Sequence, residues 1–168
     1  MDIRDPMSIV GVLVALGLGV YNALRTKAVA GTVDTLLLQD KCFDTLRTAL
    51  ETQTLRTKEV TALRKERQRL RMASLQLNTP QKNVVDECIG GIDKQIKNLE
   101  IEIVSDKTMV IDARQLTAPD APDPELVKKT NALLGQVRVR HSDAVLGQAT
   151  TDGLISDAED LLAVAQQM

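Results

Sequence analysis

The side chains that could perform chemistry are few and scattered along this chain. Its single histidine, His141, follows Arg140 and precedes Ser142 and Asp143. Adjacent residues on a helix do not face one another, so this run does not assemble a Ser/His/Asp triad. A catalytic site would need partners from elsewhere in the chain, and no motif nominates them. We therefore expect that the protein is not an enzyme.

Metal and cofactor motifs are also missing from the sequence. The two cysteines, Cys42 and Cys88, form no CxxC pair, and two thiols are typical of a reducing compartment rather than a disulfide framework. The run "GLG" at 17–19 lacks both a preceding strand and a phosphate-loop lysine. Loop and helix-cap roles explain Asp120, Asp123 and Glu125 better than calcium binding does. The sequence predicts no cofactor and no metal.

The composition favours a helical protein. Hydrophobic residues make up 43% of the 168 residues, but only 1% of the chain is aromatic and there is no tryptophan. Aliphatic chains rich in Glu, Lys, Arg and Gln are typical of helical bundles rather than of sandwiches or barrels. A net charge of −2 and the lack of base-stacking aromatics indicate no nucleic-acid partner.

The clearest periodic signal lies between residues 80 and 113. We predict Thr79 as the N-cap of a helix and Pro80 as its first residue. Apolar side chains then recur at alternating intervals of four and three residues, which is typical of a coiled-coil seam. This predicted hairpin core consists of Val85, Ile89, Ile92, Ile96, Leu99 and Ile103. Within it, Gly90 and Gly91 predict close packing of a neighbouring helix or, alternatively, a hinge.

Residues 32–77 are predicted to form the other arm of an antiparallel hairpin, because only a short turn separates the two segments. The apolar positions of this arm are Leu36, Phe43, Leu46, Leu50, Val60, Leu63, Leu70 and Leu77. Their spacing slips by one residue between Leu50 and Leu63, which predicts either a stutter in one helix or a break into two.

The same hairpin places the basic block "RKERQRLR" of residues 64–71 opposite Asp86, Glu87 and Asp93. Two interpretations remain open for this block. Its charges fix the register of the hairpin, or they form a patch that is free to meet an anionic lipid or a nucleic acid.

Further helices are predicted in residues 124–168, after the Pro/Asp-rich linker "TAPDAPDPE", with Gly147 and Gly153 as breakers. The sequence therefore predicts one all-α domain, 1–168, folded as a four- to five-helix bundle. Its parts are an apolar N-terminal helix over 1–27, the long antiparallel hairpin over 32–113, and the C-terminal helices over 124–168.

The N-terminal stretch is unusual because it holds no charge between Asp5 and Arg25. Its start "MDIRD" is acidic and no cleavage site follows, so a signal peptide is a poor match. Pro6–Leu24 is marginal in length and apolarity for a membrane span, and a buried bundle helix is equally compatible. Three positions at four-residue spacing, Gly11, Ala15 and Gly19, form a small stripe that allows close helix–helix packing.

One family shares this opening. Asp5, Pro6, Ser8, Ile9, Val10 and Gly11, followed by a Gly/Ala-rich helix, resemble the start of the fungal HeLo and HeLo-like cell-death domains. These domains lie at the N-terminus of STAND-type immune receptors and are similar in architecture to the four-helix bundle of the mixed-lineage kinase-like necroptosis executioner. The segment "NTPQKNVVDECIGGIDKQIKNLE" agrees loosely with the pattern, whereas the preceding "MDIR" departs from it.

The resemblance implies a membrane-permeabilising, pore-forming executioner of programmed cell death or innate immune defence, cytoplasmic at rest and relocating to the membrane. Its first helix would be released to insert through Ile9, Val10, Val12, Leu13, Val14, Leu16, Leu18 and Val20. Homo-oligomers would form through the Gly11, Ala15 and Gly19 stripe. Anionic lipid headgroups would dock on Arg25, Lys27, Arg64, Lys65, Arg67, Arg69 and Arg71. An upstream receptor would be a further partner.

Two other functions compete with this one. The chain could be a coiled-coil adaptor whose hairpin docks partners or self-associates without touching lipid. It could equally be a helical protein that is anchored to the membrane constitutively.

Overall fold

Three long helices pack side by side. The computed structural model describes the backbone of residues 6–116 and 123–167, and within these ranges the side chains from residue 25 onward except residues 28 and 29. Helix α1 spans Pro6–Ser74, α2 spans Thr79–Arg114 and α3 spans Pro124–Gln167. Helix α2 runs antiparallel to α1, and α3 returns parallel to α1. The described residues contain no strand, so the all-α prediction is confirmed.

The predicted count of four or five helices is not confirmed, because the described glycines do not break helices. Helix α1 continues through Gly31, where the Thr35 hydroxyl donates to the Gly31 carbonyl oxygen at 2.9 Å. Helix α3 likewise continues through Gly147 and Gly153. A glycine inside a helix costs only about 1 kcal/mol relative to alanine, so the flanking residues outweigh it. The apolar N-terminal stretch thus belongs to α1 and is not a separate helix.

Helix α1 buries a continuous seam, and this corrects the slipped spacing expected from its apolar residues. The buried positions alternate at intervals of four and three residues along most of the helix: Leu38, Cys42, Thr45, Ala49, Thr52, Arg56, Glu59, Leu63, Glu66 and Leu70. Three of the expected apolar positions, Leu36, Phe43 and Leu50, are instead 58%, 72% and 38% exposed. There is neither a stutter nor a break. The apolar pattern did not reveal this seam because polar residues occupy part of it.

The apolar core lies toward the turn between α1 and α2. Of the predicted hairpin core, Val85, Ile89, Ile92, Ile96 and Leu99 are buried and Ile103 packs against them. Helix α1 adds Val60, Leu63 and Leu70, and helix α3 adds Ala158, Leu162 and Ala165. A smaller cluster toward the other end joins one buried residue from each helix: Ala49, Val110 and Val137.

The start of α2 is fixed by a capping box one residue earlier than predicted. The Asn78 side chain accepts a hydrogen bond from the Gln81 backbone, and the Gln81 side chain accepts one from the Asn78 backbone. Asn78 is therefore the N-cap, whereas Thr79 is the first helical residue. This reciprocal pair satisfies two amide groups that the helix leaves without partners.

The glycine pair of α2 lies on an open surface. Gly90 and Gly91 are exposed, and a β-carbon added at either would meet no atom within 4 Å. The close packing of a neighbouring helix that was expected at this pair does not occur. Both residues have helical backbone geometry, since α2 is unbroken from Thr79 to Arg114.

Candidate functional site

The N-terminal part of α1 is the first element of the candidate site. Its backbone is helical from Pro6. The predicted insertion residues (Ile9, Val10, Val12, Leu13, Val14, Leu16, Leu18 and Val20) and the stripe of Gly11, Ala15 and Gly19 lie outside the residues whose side chains are described. Among the described ranges, no helix has the length and apolar character that a bilayer crossing requires.

The described side chains mark where α1 enters the bundle. Arg25 and Lys27 are exposed, and Leu38 is the first buried hydrophobic residue of the described part of α1. Between them, Val33, Leu36 and Leu37 are 48%, 58% and 56% exposed. The helix thus presents two cations, and after them a set of unburied aliphatic side chains, before packing against α2 and α3 begins. We call residues 25–37 the approach segment.

The basic block of residues 64–71 is largely paired with acidic residues. Arg64 donates to Glu100, and Arg67 and Arg71 both donate to Asp93, at 2.6 and 3.3 Å. These contacts join α1 to α2 and agree with the register-fixing interpretation. Asp93 is the one carboxylate of the three expected opposite the block that forms these pairs; Asp86 and Glu87 are exposed.

The remaining cations of the block differ in their surroundings. Arg69 bridges Glu66 on its own helix and Glu159 on α3, at 2.9 and 3.2 Å. Lys65 is exposed, and no carboxylate of the described residues lies within ion-pair distance of its ammonium. Of the five predicted headgroup contacts in this block, Lys65 is therefore the one whose charge is left to solvent.

The electrostatics of Asp93 follow from its two arginines. The hydrogen bond from Arg67 lowers the pKa of the Asp93 carboxyl, burial opposes that shift, and the charges of Arg67, Arg71 and Lys97 lower it further. The carboxylate therefore stays ionised at neutral pH. A cleft of about 490 Å³ is lined by Arg64, Lys65, Arg67, Gln68 and Arg71, so the two arginines that pair with Asp93 also line it, and four of the five lining side chains are basic.

A charged layer crosses the middle of the bundle. The buried Arg56 of α1 and Asp106 of α2 form its centre, and the partly exposed Glu102 of α2 and Arg140 of α3 complete it. Arg56 lies 3.1 Å from Asp106 through Nε and also contacts Glu102. The Arg140 guanidinium donates to Asp106 at 2.8 Å and to the Glu102 carbonyl oxygen at 3.2 Å. Arg56 and Asp106 are 4% and 1% exposed. The charged layer joins all three helices through ion pairs and hydrogen bonds.

A second buried contact lies one turn away. Thr151 of α3 donates to the Glu59 carboxylate at 3.1 Å, and both residues are buried. The other Glu59 oxygen has no hydrogen-bond partner in the described residues. Burial raises the pKa of Glu59, although the Thr151 hydrogen bond and the Arg56 charge act in the opposite direction.

The hairpin register alone places Arg56 near Glu102, and the structure pairs them. Asp106 and Arg140 as the other members of the layer, and the contact between Glu59 and Thr151, were not predicted from the sequence. The slip in apolar spacing between Leu50 and Leu63 falls on the polar run "ETQTLRTKE" of residues 51–59. The signal was present nonetheless, because Thr52, Arg56 and Glu59 continue the spacing of four and three residues between Ala49 and Leu63. Reading that spacing without regard to polarity would have placed them on the buried face.

The two cysteines are far apart and reduced. Cys42 is buried, and its sulfur lies 3.8 Å from the Thr130 hydroxyl of α3. Cys88 is half-buried, and burial raises the pKa of its thiol. A raised pKa lowers the thiolate fraction, so this thiol is a weak nucleophile at neutral pH.

Within the described part of the chain, no three His, Cys, Asp or Glu side chains converge in a way that would hold a metal ion. Most of the charged groups that do converge form ion pairs with one another. What this arrangement can do is associate helices and present charge.

Comparisons with known proteins assign no relative. No protein-family model matches the sequence, and neither curated proteins nor solved structures give a significant match.

Proposed function

We propose that this chain is the membrane-directed module of a cell-death or defence executioner, in which α1 carries the uncharged N-terminal stretch to an anionic membrane. The observation that supports this most is the continuity of α1. One helix joins the stretch without charge, residues 6–24, to the seam that α2 and α3 cover. A marginally apolar helix fixed rigidly to a charged bundle is suited to insertion from one side of a membrane.

The continuity of α1 also favours a different first step of insertion from the one that the resemblance implied. The resemblance implied a first helix folded onto the bundle and then released. An unbroken helix through Gly31 does not turn back, and the approach segment exposes Val33, Leu36 and Leu37. Insertion on this geometry needs no detachment of the approach segment from α2 or α3. Homo-oligomers through Gly11, Ala15 and Gly19 would follow once the helices share a membrane.

Lipid headgroups would be met first by Arg25 and Lys27. Both are exposed, and they lie between the uncharged stretch and the bundle. Each exposed basic residue near an anionic surface contributes about 1 kcal/mol. Lys65 would contribute in the same way, whereas Arg64, Arg67, Arg69 and Arg71 are engaged with carboxylates and would contribute less.

The test compares dye leakage from liposomes containing anionic lipid. Full-length protein is expected to cause leakage, and a version lacking residues 1–24 is expected to bind weakly and cause none. The full-length double variant Arg25→Glu and Lys27→Glu keeps the uncharged stretch but repels the surface, and should leak less. Equal leakage by full-length and truncated protein would contradict the proposal.

A coiled-coil interaction module is the second candidate, and the outer face of α2 favours it. Ile101, Val104 and Ile111 are 71%, 63% and 54% exposed. Together with the exposed Thr108 they repeat at intervals of three, four and three residues, the spacing of a coiled-coil seam. Liposome flotation separates the two candidates. Protein that stays in solution, and whose oligomers dissociate when Ile101 and Val104 are changed to Asp, would be an adaptor.

A further inference from the structure

A groove between α1 and α3 shares no lining residue with the charged layer or with the basic cleft. Its volume is about 520 Å³, within the range of small-ligand sites. Helix α1 contributes one face, from Arg47 to Lys58, which corresponds to a length of roughly 16 Å along the helix. Helix α3 contributes His141 and Val145.

The floor of this groove is apolar and only partly covered. Leu50 and Val145 are 38% and 47% exposed, and Leu55 is half-buried between them. Thr54 also lines this surface. These side chains remain in contact with water although they are adjacent to the bundle core. An apolar chain laid along them would remove that surface from water, at a gain of about 25 cal/mol per Å² buried.

The two ends of the groove differ in charge. At one end, Arg47 is already engaged by Asp44 at 2.7 Å and lies 4.0 Å from Glu51. At the other end, the exposed Lys58 has no carboxylate of the described residues within ion-pair distance. A single negative charge is therefore accommodated best at Lys58, where no described acidic side chain competes for the cation.

His141 lies between these ends and is held in one orientation. The Thr52 hydroxyl donates its proton to the Thr48 carbonyl oxygen at 2.7 Å, so it can only accept from His141 Nδ1, which lies 3.3 Å away. The ring consequently carries a proton on Nδ1 and is anchored by α1. It forms a fixed part of the groove wall beside Val145.

We propose that this groove binds a free single-chain anionic amphiphile of the fatty-acid type. The carboxylate pairs with Lys58, and the acyl chain covers Leu55, Val145 and Leu50 toward Arg47. The charge complementarity selects this occupant: one unpaired cation stands at one end of an apolar floor whose other end is neutralised. A second copy of the chain would need a wider apolar face, because dimer interfaces bury about 800 Å² on each partner. This binding does not depend on the proposed membrane function.

The probe is dodecanoate, titrated into the full chain below its micelle concentration by isothermal calorimetry. We expect one saturable site. Acetate, which lacks the chain, and 1-dodecanol, which lacks the charge, should each bind at least about tenfold more weakly. The absence of saturable dodecanoate binding, or equal binding of dodecanol, would overturn the proposal.

Three variants locate the site. Lys58→Glu reverses the charge at the head and Val145→Asp places a charge on the floor, and each should weaken binding by at least about tenfold. Lys107→Glu changes the net charge equally at an exposed position of α2 and should leave binding unchanged. Circular dichroism confirms that each variant folds. Unaltered binding by Lys58→Glu would overturn the proposal, as would self-association that Val145→Asp abolishes, since a second copy would then occupy the groove.

Discussion

Arg140 donates a hydrogen bond to Asp106 at 2.8 Å, and Asp106 is only 1% exposed. This contact joins α3 to α2, and Arg56 of α1 lies 3.1 Å from the other oxygen of the same carboxylate. One buried negative charge thus lies between two positive ones contributed by different helices. Such a layer contributes less to stability than apolar packing would, but it disfavours registers in which the charges are buried without partners.

The first prediction concerns the removal of this carboxylate charge. Asp106→Asn leaves Arg56, which is 4% exposed, without its fully buried counter-charge. We expect the free energy of unfolding, measured with urea, to fall by about 3 kcal/mol. Replacing all three residues by apolar ones, Arg56→Met with Asp106→Leu and Arg140→Leu, should recover most of that loss. Asp143→Asn, at an exposed position, is the control and should change stability by less than about 0.5 kcal/mol.

The second prediction concerns glycines. Gly90→Ala and Gly91→Ala add a methyl group where no atom lies within 4 Å. Each should raise the free energy of unfolding by about 1 kcal/mol, because alanine favours the helix and restricts the unfolded chain.

Gly147→Ala is the matched comparison, since its β-carbon would lie 3.3 Å from the Glu59 carboxylate. That carboxylate is buried and held by Thr151, so it has little room to move. We expect Gly147→Ala to destabilise the protein. An increase in the free energy of unfolding equal to that of Gly90→Ala would show that the Glu59 side chain can move away from the added methyl group.

The third prediction concerns the dependence of stability on pH. Burial raises the pKa of Glu59 above its ordinary value of 4.5. The folded state therefore binds this proton more tightly than the unfolded state does, and the contribution of Glu59 to stability declines as pH rises above about 4.5. Glu59→Gln removes that decline. Melting temperatures of both proteins across pH 4 to 8 should diverge as pH rises, with the variant higher; parallel curves would contradict the raised pKa.

Part of the fold follows directly from the sequence. Val85, Ile89 and Ile92 repeat at helical spacing with no polar residue among the seam positions between them, so apolar content and periodicity agree about which face is buried. The start of this helix was predicted one residue too late, although asparagine followed three residues later by glutamine is the pattern of the capping box that the structure shows.

The rest of the bundle was harder to predict because burial there does not follow polarity. Thr52, Arg56 and Glu59 are buried, whereas Phe43 of the same helix is 72% exposed. A polar side chain is buried only when another helix supplies its partner, and Asp106 and Thr151 lie far away in sequence. Local propensity also failed at Gly147 and Gly153, which were predicted to break the C-terminal helices but lie inside α3, because the flanking residues outweigh the small cost of glycine.

The fourth prediction separates the two interpretations of the basic block. Arg67 and Arg71 share the Asp93 carboxylate, whose pKa is lowered by the hydrogen bond from Arg67. Asp93→Asn removes this counter-charge. It should lower the free energy of unfolding by less than about 1 kcal/mol, since the pair is partly exposed. If the cleft meets anionic lipid, each arginine released from Asp93 should add about 1 kcal/mol to the free energy of membrane binding. Binding to anionic vesicles should then rise roughly fivefold or more.

The control for this last experiment is Asp112→Asn, which changes the net charge equally at an exposed position of α2 away from the basic block. A rise with Asp93→Asn that Asp112→Asn does not reproduce would assign a lipid contact to the cleft, with Asp93 limiting it in the native protein. Equal binding by both variants would instead leave Arg67 and Arg71 as residues that hold α1 to α2. Lipid attraction would then rest on Arg25 and Lys27, because these cations lie on the approach segment, beyond the buried seam that begins at Leu38.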